Sequence, residues 1–307
     1  MSRAANHAGP ATDRFAGQRI PPTLVGLLWI SPWLAGFALF MALPIALSLA
    51  YSLTDYPLLE SPVWIGLDNY RALFSDPLFA RVLLNTGLFT LMYVPASTAL
   101  SILIAVLLNQ RVPGLWAFRT AVYIPSLVPV VASAMIWLWL FNADLGLINL
   151  ALRVLGLEGP NWLGSPAWAL PALVIMSLWN IGQPVVVYLA ALQDVPRPLL
   201  EAASLDGAGP LRRLWHVTLP MISPAILFNV IVTTINTLQV FAIPYIMTEG
   251  GPDNSTLMYS HYLYNNAFVY MKMGYASALA WVQFLVVLAL TGVLWFASHG
   301  LVHYRAA

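Results

Sequence analysis

Charged residues are missing from six long stretches of this 307-residue sequence. The stretches free of Asp, Glu, Lys and Arg cover residues 20–54, 82–110, 120–143, 159–193, 214–248 and 273–304. Each is longer than the ~20 residues that an α-helix needs to cross the apolar core of a bilayer. A helix can span lipid because it satisfies its backbone hydrogen bonds internally. The pattern therefore predicts an all-α integral membrane protein with six transmembrane helices.

The composition excludes several other classes of protein. Only 8% of the residues are charged and 60% are hydrophobic, whereas about a quarter are charged in soluble domains. The net charge of +1 gives no reason to expect nucleic acid as a partner. The sequence contains no cysteine, so disulfides, thiol catalysis and cysteine-ligated metal are excluded.

The expected spans cover residues 23–54, 83–109, 119–142, 167–193, 217–247 and 275–303. They form one six-helix domain over residues 20–304, which follows an N-terminal arm over residues 1–19. The first stretch is too long for a signal peptide and shows no small-residue cleavage site, so we expect a retained span. A seventh uncharged stretch, 254–271, is shorter and more polar, and we expect an external loop or a surface helix there.

Lys and Arg residues are divided unequally between the two sides of this arrangement. Nine belong to the termini and to the second and fourth loops: Arg3, Arg14, Arg19, Arg111, Arg119, Arg197, Arg212, Arg213 and Arg305. Four belong to the other loops: Arg71, Arg81, Arg153 and Lys272. Because basic residues concentrate in cytoplasmic loops, both termini are expected in the cytoplasm.

Proline is frequent inside the expected spans. The positions are Pro44, Pro95, Pro125, Pro129, Pro171, Pro184, Pro224 and Pro244. Each removes a backbone hydrogen bond and is expected to kink its helix. This density is typical of a packed, moving bundle, although proline is also simply commoner in membrane helices than in soluble ones.

The fourth loop has the features of a docking element. Pro198 can open a short helix, Glu201 suits the positive N-terminal end of that helix, and Gly207 closes it. The small side chains of Ala202 and Ala203 permit another protein to approach closely. A loop that only connects two spans does not need an ordered helix of this kind.

The same segment resembles the EAA loop of ABC importer permeases, whose pattern is E-A-A-x-x-x-G-x9-I-x-L-P. The corresponding positions are Glu201, Ala202, Ala203, Gly207, Val217, Leu219 and Pro220, and Asp206 is also usual in sugar permeases. Val217 in place of Ile is the single departure. The resemblance implies a type I ABC importer permease fold. It also implies that the cytoplasmic loop, residues 194–216, is a coupling helix that docks on an ATPase subunit.

A second resemblance is to carbohydrate permeases of the maltose-transporter type, and in particular to the first of that system's two non-identical permeases. The residues that carry it are Thr248-Glu249-Gly250-Gly251-Pro252, Thr256, Tyr262-Leu263-Tyr264, Ala267-Phe268 and Gly274-Tyr275-Ala276. It implies a prokaryotic plasma (inner) membrane protein with a second, non-identical permease subunit, two ATPase subunits and an extracytoplasmic solute-binding protein as partners. The sequence has no G-x-x-x-x-G-K-[ST] motif, so we expect no catalysis by this chain, and ATP and magnesium are expected to be used by the partner ATPase.

Polar residues within the fifth expected span are candidates for the solute path. Asn229, Thr233 and Asn236 are spaced i, i+4 and i+7, which places them on one helical face, and Gln239 flanks that face. Neutral amides and hydroxyls suit a neutral, hydroxyl-rich solute. The alternative is that these groups form hydrogen bonds between packed membrane helices.

Two further pairs have helical i, i+4 spacing. Trp179 and Gln183 in the fourth span could place an aromatic ring on the apolar face of a sugar, or Trp179 could be a packing contact at a local bend. On a continuous helix, Asn180 would point about 100° away from them. His299 and His303 have the spacing of metal ligands, but no third ligand accompanies them and we expect interfacial histidines with no metal.

Two other functions remain as alternatives to an ABC importer permease for a carbohydrate. An ion-coupled secondary transporter usually carries ionisable groups within its spans, and these spans have no Asp, Glu, Lys or Arg, although sodium coupling through carbonyl groups stays possible. A membrane enzyme needs a cluster of carboxylates, histidines or a nucleophile, and the sequence shows none. For the solute itself, a glycerol phosphodiester or glycerol phosphate is the alternative, with helix ends or the partner permease meeting the phosphate.

Overall fold

The computed structural model describes residues 22–110 and 112–298. The N-terminal arm and the residues Arg3, Arg14, Arg19, Arg111, His299, His303 and Arg305 lie outside the described residues. The chain divides into two compact units, Met1–Ala50 and Tyr51–Ala307.

The described part of the chain is built almost entirely from helices. The α-helices are α1 (Pro22–Phe37), α2 (Leu43–Ser52), α3 (Asp68–Ser75), α4 (Pro77–Leu108), α5 (Leu115–Tyr123), α6 (Val130–Leu140), α7 (Leu147–Val154), α8 (Pro166–Leu178), α9 (Gly182–Gln193), α10 (Arg197–Leu205), α11 (Pro210–Arg213), α12 (Leu219–Met221), α13 (Ser223–Leu238), α14 (Ala242–Thr248), α15 (Tyr259–Tyr264) and α16 (Met273–Ser298). Within the described residues, the departure from the all-α class is one antiparallel pair, β1 (Thr54–Asp55) and β2 (Val63–Trp64).

The described part of the first unit, from Pro22 onward, is one long helix. A π-helical stretch, Ala38–Ala42, joins α1 to α2 without a break, and the Leu43 N–H bonds to the Ala38 carbonyl oxygen. Pro44 follows directly after this wide turn, where its missing N–H is accommodated. Apolar residues surround the helix on every side, and none of its most apolar 18-residue window is buried. A helix that is apolar all round belongs in lipid or against another protein chain.

Helix α4 is the packing centre of the second unit. It runs for 32 residues and contacts α8, α9 and α13. Ser97, Ser101 and Ala105 recur every fourth residue and are fully or almost fully buried. Small residues at this spacing let two membrane helices approach closely. A hydrophobic cluster that includes Ala105 of α4 and Tyr188 of α9 lies at this contact.

Three helices are long and apolar enough to cross a membrane as they stand: Gly26–Ser52, Pro77–Leu108 and Met273–Ser298. Three further candidates are pairs of shorter helices, Leu115–Leu127 with Val130–Leu140, Pro166–Leu178 with Gly182–Gln193, and Pro210–Met221 with Ser223–Leu238. The pairs are bent by 100°, 51° and 69°, respectively. The described residues thus contain between three and six crossings by length and composition.

Prolines account for these bends. Pro129 precedes α6, Pro184 lies in the first turn of α9 and Pro224 lies in the first turn of α13. In the first turn of a helix the missing N–H costs no internal hydrogen bond, so each proline starts a new helix after the break. Pro95 and Pro171 lie inside α4 and α8, which continue past them.

Residues 255–267 are buried or half-buried, whereas Asn254 and residues 268–271 are exposed, so the prediction of an external loop or a surface helix over 254–271 is wrong for the middle of this segment. The side-chain amide of Asn85 donates to the carbonyl oxygens of Asn254 (2.7 Å) and Leu257 (3.0 Å). The Tyr259 hydroxyl donates to the Leu279 carbonyl oxygen at 2.9 Å. These hydrogen bonds hold the segment between α4 and α16, while the Ser255 hydroxyl and the Nδ1 atom of His261 are buried without a hydrogen-bond partner among the described residues.

Candidate solute path and coupling surface

The predicted stripe on α13 faces a cavity. Asn229, Thr233 and Asn236 line a volume of about 460 Å³ together with Gln183 of α9. The remaining lining residues are Tyr93, Ser126, Asn180, Pro184, Val187, Phe228 and Val232. Four helical segments of the second unit and the turn between α8 and α9 thus contribute to one partly polar space.

A smaller cavity of about 190 Å³ adjoins the first. The two share Tyr93, Asn180 and Asn236 as lining residues. Trp179 lines only the smaller cavity, and its ring also packs edge-on against Trp137 with 6.2 Å between ring centroids. The structure therefore places Trp179 both in an aromatic contact and at the cavity wall.

Asn180 does not point away from the path as a continuous helix would require. Helix α8 ends at Leu178 and α9 begins at Gly182, so Asn180 lies in the turn between them. Its side chain lines both cavities. The expectation of a 100° offset was wrong because it assumed helical geometry across this break.

The lining is polar but uncharged. Asn229 is buried and its amide N–H donates to the Ala225 carbonyl oxygen at 3.1 Å. Within the described residues, the side-chain amides of Asn180, Gln183 and Asn236 form no hydrogen bond to protein, and no Lys, Arg, Asp or Glu lines either cavity. Such amides offer both donors and acceptors to a solute.

One predicted path residue lies outside both cavities, and two residues that bring hydroxyl groups to the larger cavity were not predicted. Gln239 is the exposed C-cap of α13 and lines neither cavity. Tyr93 and Ser126 reach the cavity from α4 and from the 3₁₀ turn Ile124–Leu127. No periodic pattern in the sequence marks either hydroxyl. The proline pair that flanks Ser126 is the one signal that the chain leaves helical geometry there.

The fourth loop contains the expected short helix, α10. Pro198 lies in its first turn, and Gly207 follows its end with φ of 77°. The Gly207 N–H bonds to the Ser204 carbonyl oxygen (3.1 Å) and the Ala208 N–H to that of Ala203 (2.9 Å). This pair of bonds is a Schellman motif, which glycine favours because the left-handed conformation strains other residues.

The face that α10 presents is exposed. Glu201, Ala202, Asp206 and Gly207 are exposed, whereas Ala203 is half-buried. Leu205 is 90% exposed, so the end of α10 carries an uncovered apolar side chain. Glu201 is the fifth residue of α10, beyond its first turn, so the prediction that it interacts with the N-terminal end of the helix was wrong.

The last part of the motif lies at a bend. Leu219 and Pro220 belong to α12 and are half-buried. Leu219 packs against the cluster that joins α4 and α9. Helix α13 begins at Ser223, beyond a bend of 69°. Residues 210–238 therefore connect the exposed loop to the helix that carries the cavity amides.

A third cavity, of about 390 Å³, lies near the N-terminal end of α4 and is lined by Asp76 and by polar residues of α15 and α16. Asp76 caps α4 by accepting the Leu78 N–H at 2.8 Å, and it also accepts the hydroxyls of Tyr262 and Tyr275. Burial alone raises the pKa of the Asp76 carboxyl, but these hydrogen bonds outweigh it and hold the pKa below its ordinary value. The carboxylate thus joins three helices in its ionised form.

Comparisons with known proteins identify the family. Residues 97–305 match the model for the inner membrane component of binding-protein-dependent transport systems. The chain belongs to this family. It is a permease of the ABC transporter type and not an enzyme.

Relatives and a solved structure agree with this assignment. The sulfoquinovosyl glycerol transport system permease protein SmoG of Agrobacterium fabrum is 36% identical over 88% of this chain and 89% of its own length. The lactose transport system permease protein LacF of Rhizobium radiobacter is 36% identical over 89% of this chain and 93% of its own. The crystal structure of a bacterial ABC transporter involved in the import of the acidic polysaccharide alginate has a TM-score of 0.78 at 24% identity, over 92% of this chain and 96% of that chain.

Proposed function

We propose that this chain is the permease subunit that moves a carbohydrate inward through an ATP-driven importer. The observation that carries the proposal is the uncharged cavity lined by amides and hydroxyls on α9 and α13. Relatives named for the transport of lactose and of sulfoquinovosyl glycerol support a carbohydrate as the solute.

The solute that fits this lining is neutral. A buried charge needs a partner of opposite sign, and no cationic side chain lines either cavity within the described residues. A glycerol phosphodiester or glycerol phosphate, the second candidate solute, would need its phosphate to be met by helix ends or by the partner permease. A neutral mono- or oligosaccharide needs no such group.

The proposed assembly contains a second, non-identical permease, two ATPase subunits and an extracytoplasmic solute-binding protein. The family description, a component of binding-protein-dependent transport systems, supports the last of these. In this arrangement each bent helix pair is one span, six spans cross the membrane and both termini are cytoplasmic. ATP and magnesium are bound by the partner ATPase, for which α10 is the docking surface.

Coupling follows from the connection between the loop and the cavity. ATP-driven closure of the ATPase subunits displaces α10, and residues 210–238 transmit this displacement to α13 through the bend at Ile222. Asn229, Thr233 and Asn236 then move with α13, which alternates the access of the cavity between the two sides of the membrane.

The class of transporter is tested by uptake into proteoliposomes that contain the complete importer. The solute-binding protein of the proposed importer is first screened by thermal shift against lactose, maltose, trehalose and glycerol 3-phosphate. Uptake of the sugar that binds is expected to require internal ATP and to be blocked by vanadate. Uptake that persists with vanadate and stops with a protonophore would establish an ion-coupled transporter instead.

The solute path is tested by replacing amides that face the cavity. Asn236→Leu and Asn180→Leu each remove one or two hydrogen bonds to solute, and each bond contributes about 0.5–1.5 kcal/mol. We expect the rate of uptake at low solute concentration to fall roughly tenfold, which corresponds to about 1.4 kcal/mol. Gln239→Leu, outside both cavities, is the matched comparison and is expected to retain uptake. Equal losses in all three variants would contradict the placement of the path.

A further inference from the structure

Helix α7 exposes an apolar stripe that the transport function does not require. Leu147, Leu150 and Val154 are spaced i, i+3 and i+7, so they share one face, and they are 47%, 52% and 81% exposed. Leu155, which follows the helix, is 74% exposed. A contiguous apolar patch on a folded protein marks a contact with another molecule or with a membrane.

Hydrogen bonds on the opposite face fix the orientation of this helix. The buried Asn149 donates from its amide to the carbonyl oxygens of Ala143 (2.9 Å) and Pro160 (3.1 Å). It also accepts the Trp162 indole N–H at 2.7 Å. Both amide N–H donors of Asn149 and its side-chain oxygen thus hold α7 to its two flanking loops. The stripe cannot turn inward without breaking these bonds.

Two tryptophans place α7 at the level of the membrane surface. Trp139 lies at the end of α6 and Trp168 at the start of α8, and both are exposed. Each helix belongs to a pair that is apolar enough to span the membrane. Exposed tryptophans at the ends of membrane helices lie in the headgroup region. Because α7 lies between them in the chain and its anchor Trp162 packs 5.3 Å from Trp168, it lies at the same depth.

We propose that α7 is an interfacial helix whose stripe is immersed in the boundary between lipid headgroups and acyl chains. The occupant is lipid because the exposed tryptophans of the two adjoining helices place the stripe at headgroup depth and because the stripe contains only aliphatic side chains. The one charged residue of α7, Arg153, donates to the backbone carbonyl oxygens of Ala143 and Asp144 instead of facing the stripe. The proposal does not depend on which side of the membrane α7 lies or on which solute the permease carries.

The absence of cysteine from the sequence makes a direct test possible. Val154→Cys and Leu155→Cys are labelled with a bimane fluorophore, and the full chain is reconstituted in liposomes of phosphatidylethanolamine and phosphatidylglycerol. Lipids that carry a doxyl quencher near the top of the acyl chain are expected to reduce the fluorescence strongly. Lipids with doxyl at the chain end are expected to reduce it less, because the stripe lies near the surface.

Two control positions define the range of the signal. Phe284→Cys, on the exposed surface of the long apolar helix α16, is expected to be quenched most by doxyl at the chain end. Glu60→Cys, in the exposed β1–β2 loop, is expected to show little quenching by either lipid. Quenching at both stripe positions no greater than at Glu60→Cys would overturn the proposal. So would quenching that is lost when the partner subunits are assembled, since a protein would then cover the stripe.

Discussion

Gly182 is a residue whose lack of a side chain shapes the candidate path. A Cβ atom there would lie 2.3 Å from the Ser126 hydroxyl oxygen and 2.9 Å from the Val122 carbonyl oxygen. The second contact is with backbone, so the turn before α9 would have to move. We expect Gly182→Ala to destabilise the protein by about 1–3 kcal/mol and to lower solute uptake.

The measurement is the thermal unfolding midpoint in detergent together with uptake by the importer. Gly87→Ala is the matched control, because nothing lies within 4 Å of a Cβ at Gly87 in the interior of α4. There alanine is expected to stabilise the helix by up to about 1 kcal/mol. A midpoint for Gly182→Ala at or above that of Gly87→Ala would show that the close approach at Ser126 has no energetic importance.

The hydrogen bonds of the Asp76 carboxylate are expected to make the stability of the protein sensitive to acid. Burial raises the pKa of the Asp76 carboxyl in the folded protein. Hydrogen bonds from Tyr262, from the Leu78 N–H and from Tyr275 lower this pKa by more, so that it lies below its ordinary value. A carboxyl with a depressed folded pKa stabilises the fold above its unfolded pKa of about 4, and this stabilisation is lost as the pH falls through the folded pKa. We therefore expect Asp76→Asn to reduce the loss of stability between neutral pH and acid below pH ~4.

Thermal unfolding of detergent-solubilised protein at a series of pH values measures this effect. At neutral pH, Asp76→Asn is expected to lower the midpoint by roughly 2–4 °C, the effect of about one lost hydrogen bond. Asp68→Asn removes an exposed ion pair with Arg71, which contributes little, and serves as control. If both variants show the pH dependence of the wild type, Asp76 does not supply the acid sensitivity.

At the level of residues, the sequence predicts the path only where helical geometry continues. Asn229, Thr233 and Asn236 lie within α13, so their spacing alone places them on one face. Asn180 was not predicted to face the cavity because it lies between α8 and α9, where the backbone is not helical and helical spacing does not apply. Tyr93 reaches the cavity through the packing of α4 against other helices, which is a tertiary property.

Helix α10, the proposed coupling helix, is the element whose geometry is most open to a direct test. Gly207 has φ of 77° and Gly209 does not have a positive φ, while a Cβ at either position meets nothing within 4 Å. Alanine in the left-handed conformation costs roughly 1–2 kcal/mol. Gly207→Ala is therefore expected to disorder the end of α10 and to reduce transport, whereas Gly209→Ala is expected to be tolerated.

The readout is ATP hydrolysis and uptake by the reconstituted importer. For Gly207→Ala, and more strongly for Glu201→Lys on the exposed face of α10, we expect uptake to fall while the permease stays inserted in the membrane. Full ATP-driven uptake by Glu201→Lys would exclude α10 as the docking surface. Equal behaviour of Gly207→Ala and Gly209→Ala would show that the Schellman motif is not needed for coupling.

The sequence predicts which segments form helices, but it does not predict how sharply the chain turns between consecutive helices. Prolines indicated where helices end, and the breaks before α6, α9 and α13 each have a proline beside them. Pro95 has the same chemistry and lies within the uninterrupted α4. The difference is that neighbouring helices pack around α4 along its length and hold it in one piece, which the local sequence does not encode.

For the whole molecule, the number of uncharged stretches gives the number of segments that can enter a membrane. It does not say whether a segment crosses the membrane or returns to the side from which it entered. A stretch long enough to span contributes the same hydropathy whether it crosses or turns back. Each of the three bent pairs is compatible with one broken span or with a re-entrant loop. The pair Leu115–Leu127 and Val130–Leu140 has the sharpest bend, 100°, and is the first to test.

Single cysteines on either side of this pair decide between the two topologies. Asn109 and Asp144 are exposed and flank the pair. In the six-span arrangement, a membrane-impermeant maleimide applied to intact spheroplasts is expected to label Asp144→Cys but not Asn109→Cys. Glu60→Cys, in the first loop and before the pair, serves as the external reference. Labelling of Asn109→Cys and Asp144→Cys from the same side would make the pair re-entrant. With the other two bent pairs each crossing once, the termini would then lie on opposite sides of the membrane, because each crossing reverses the direction of the chain.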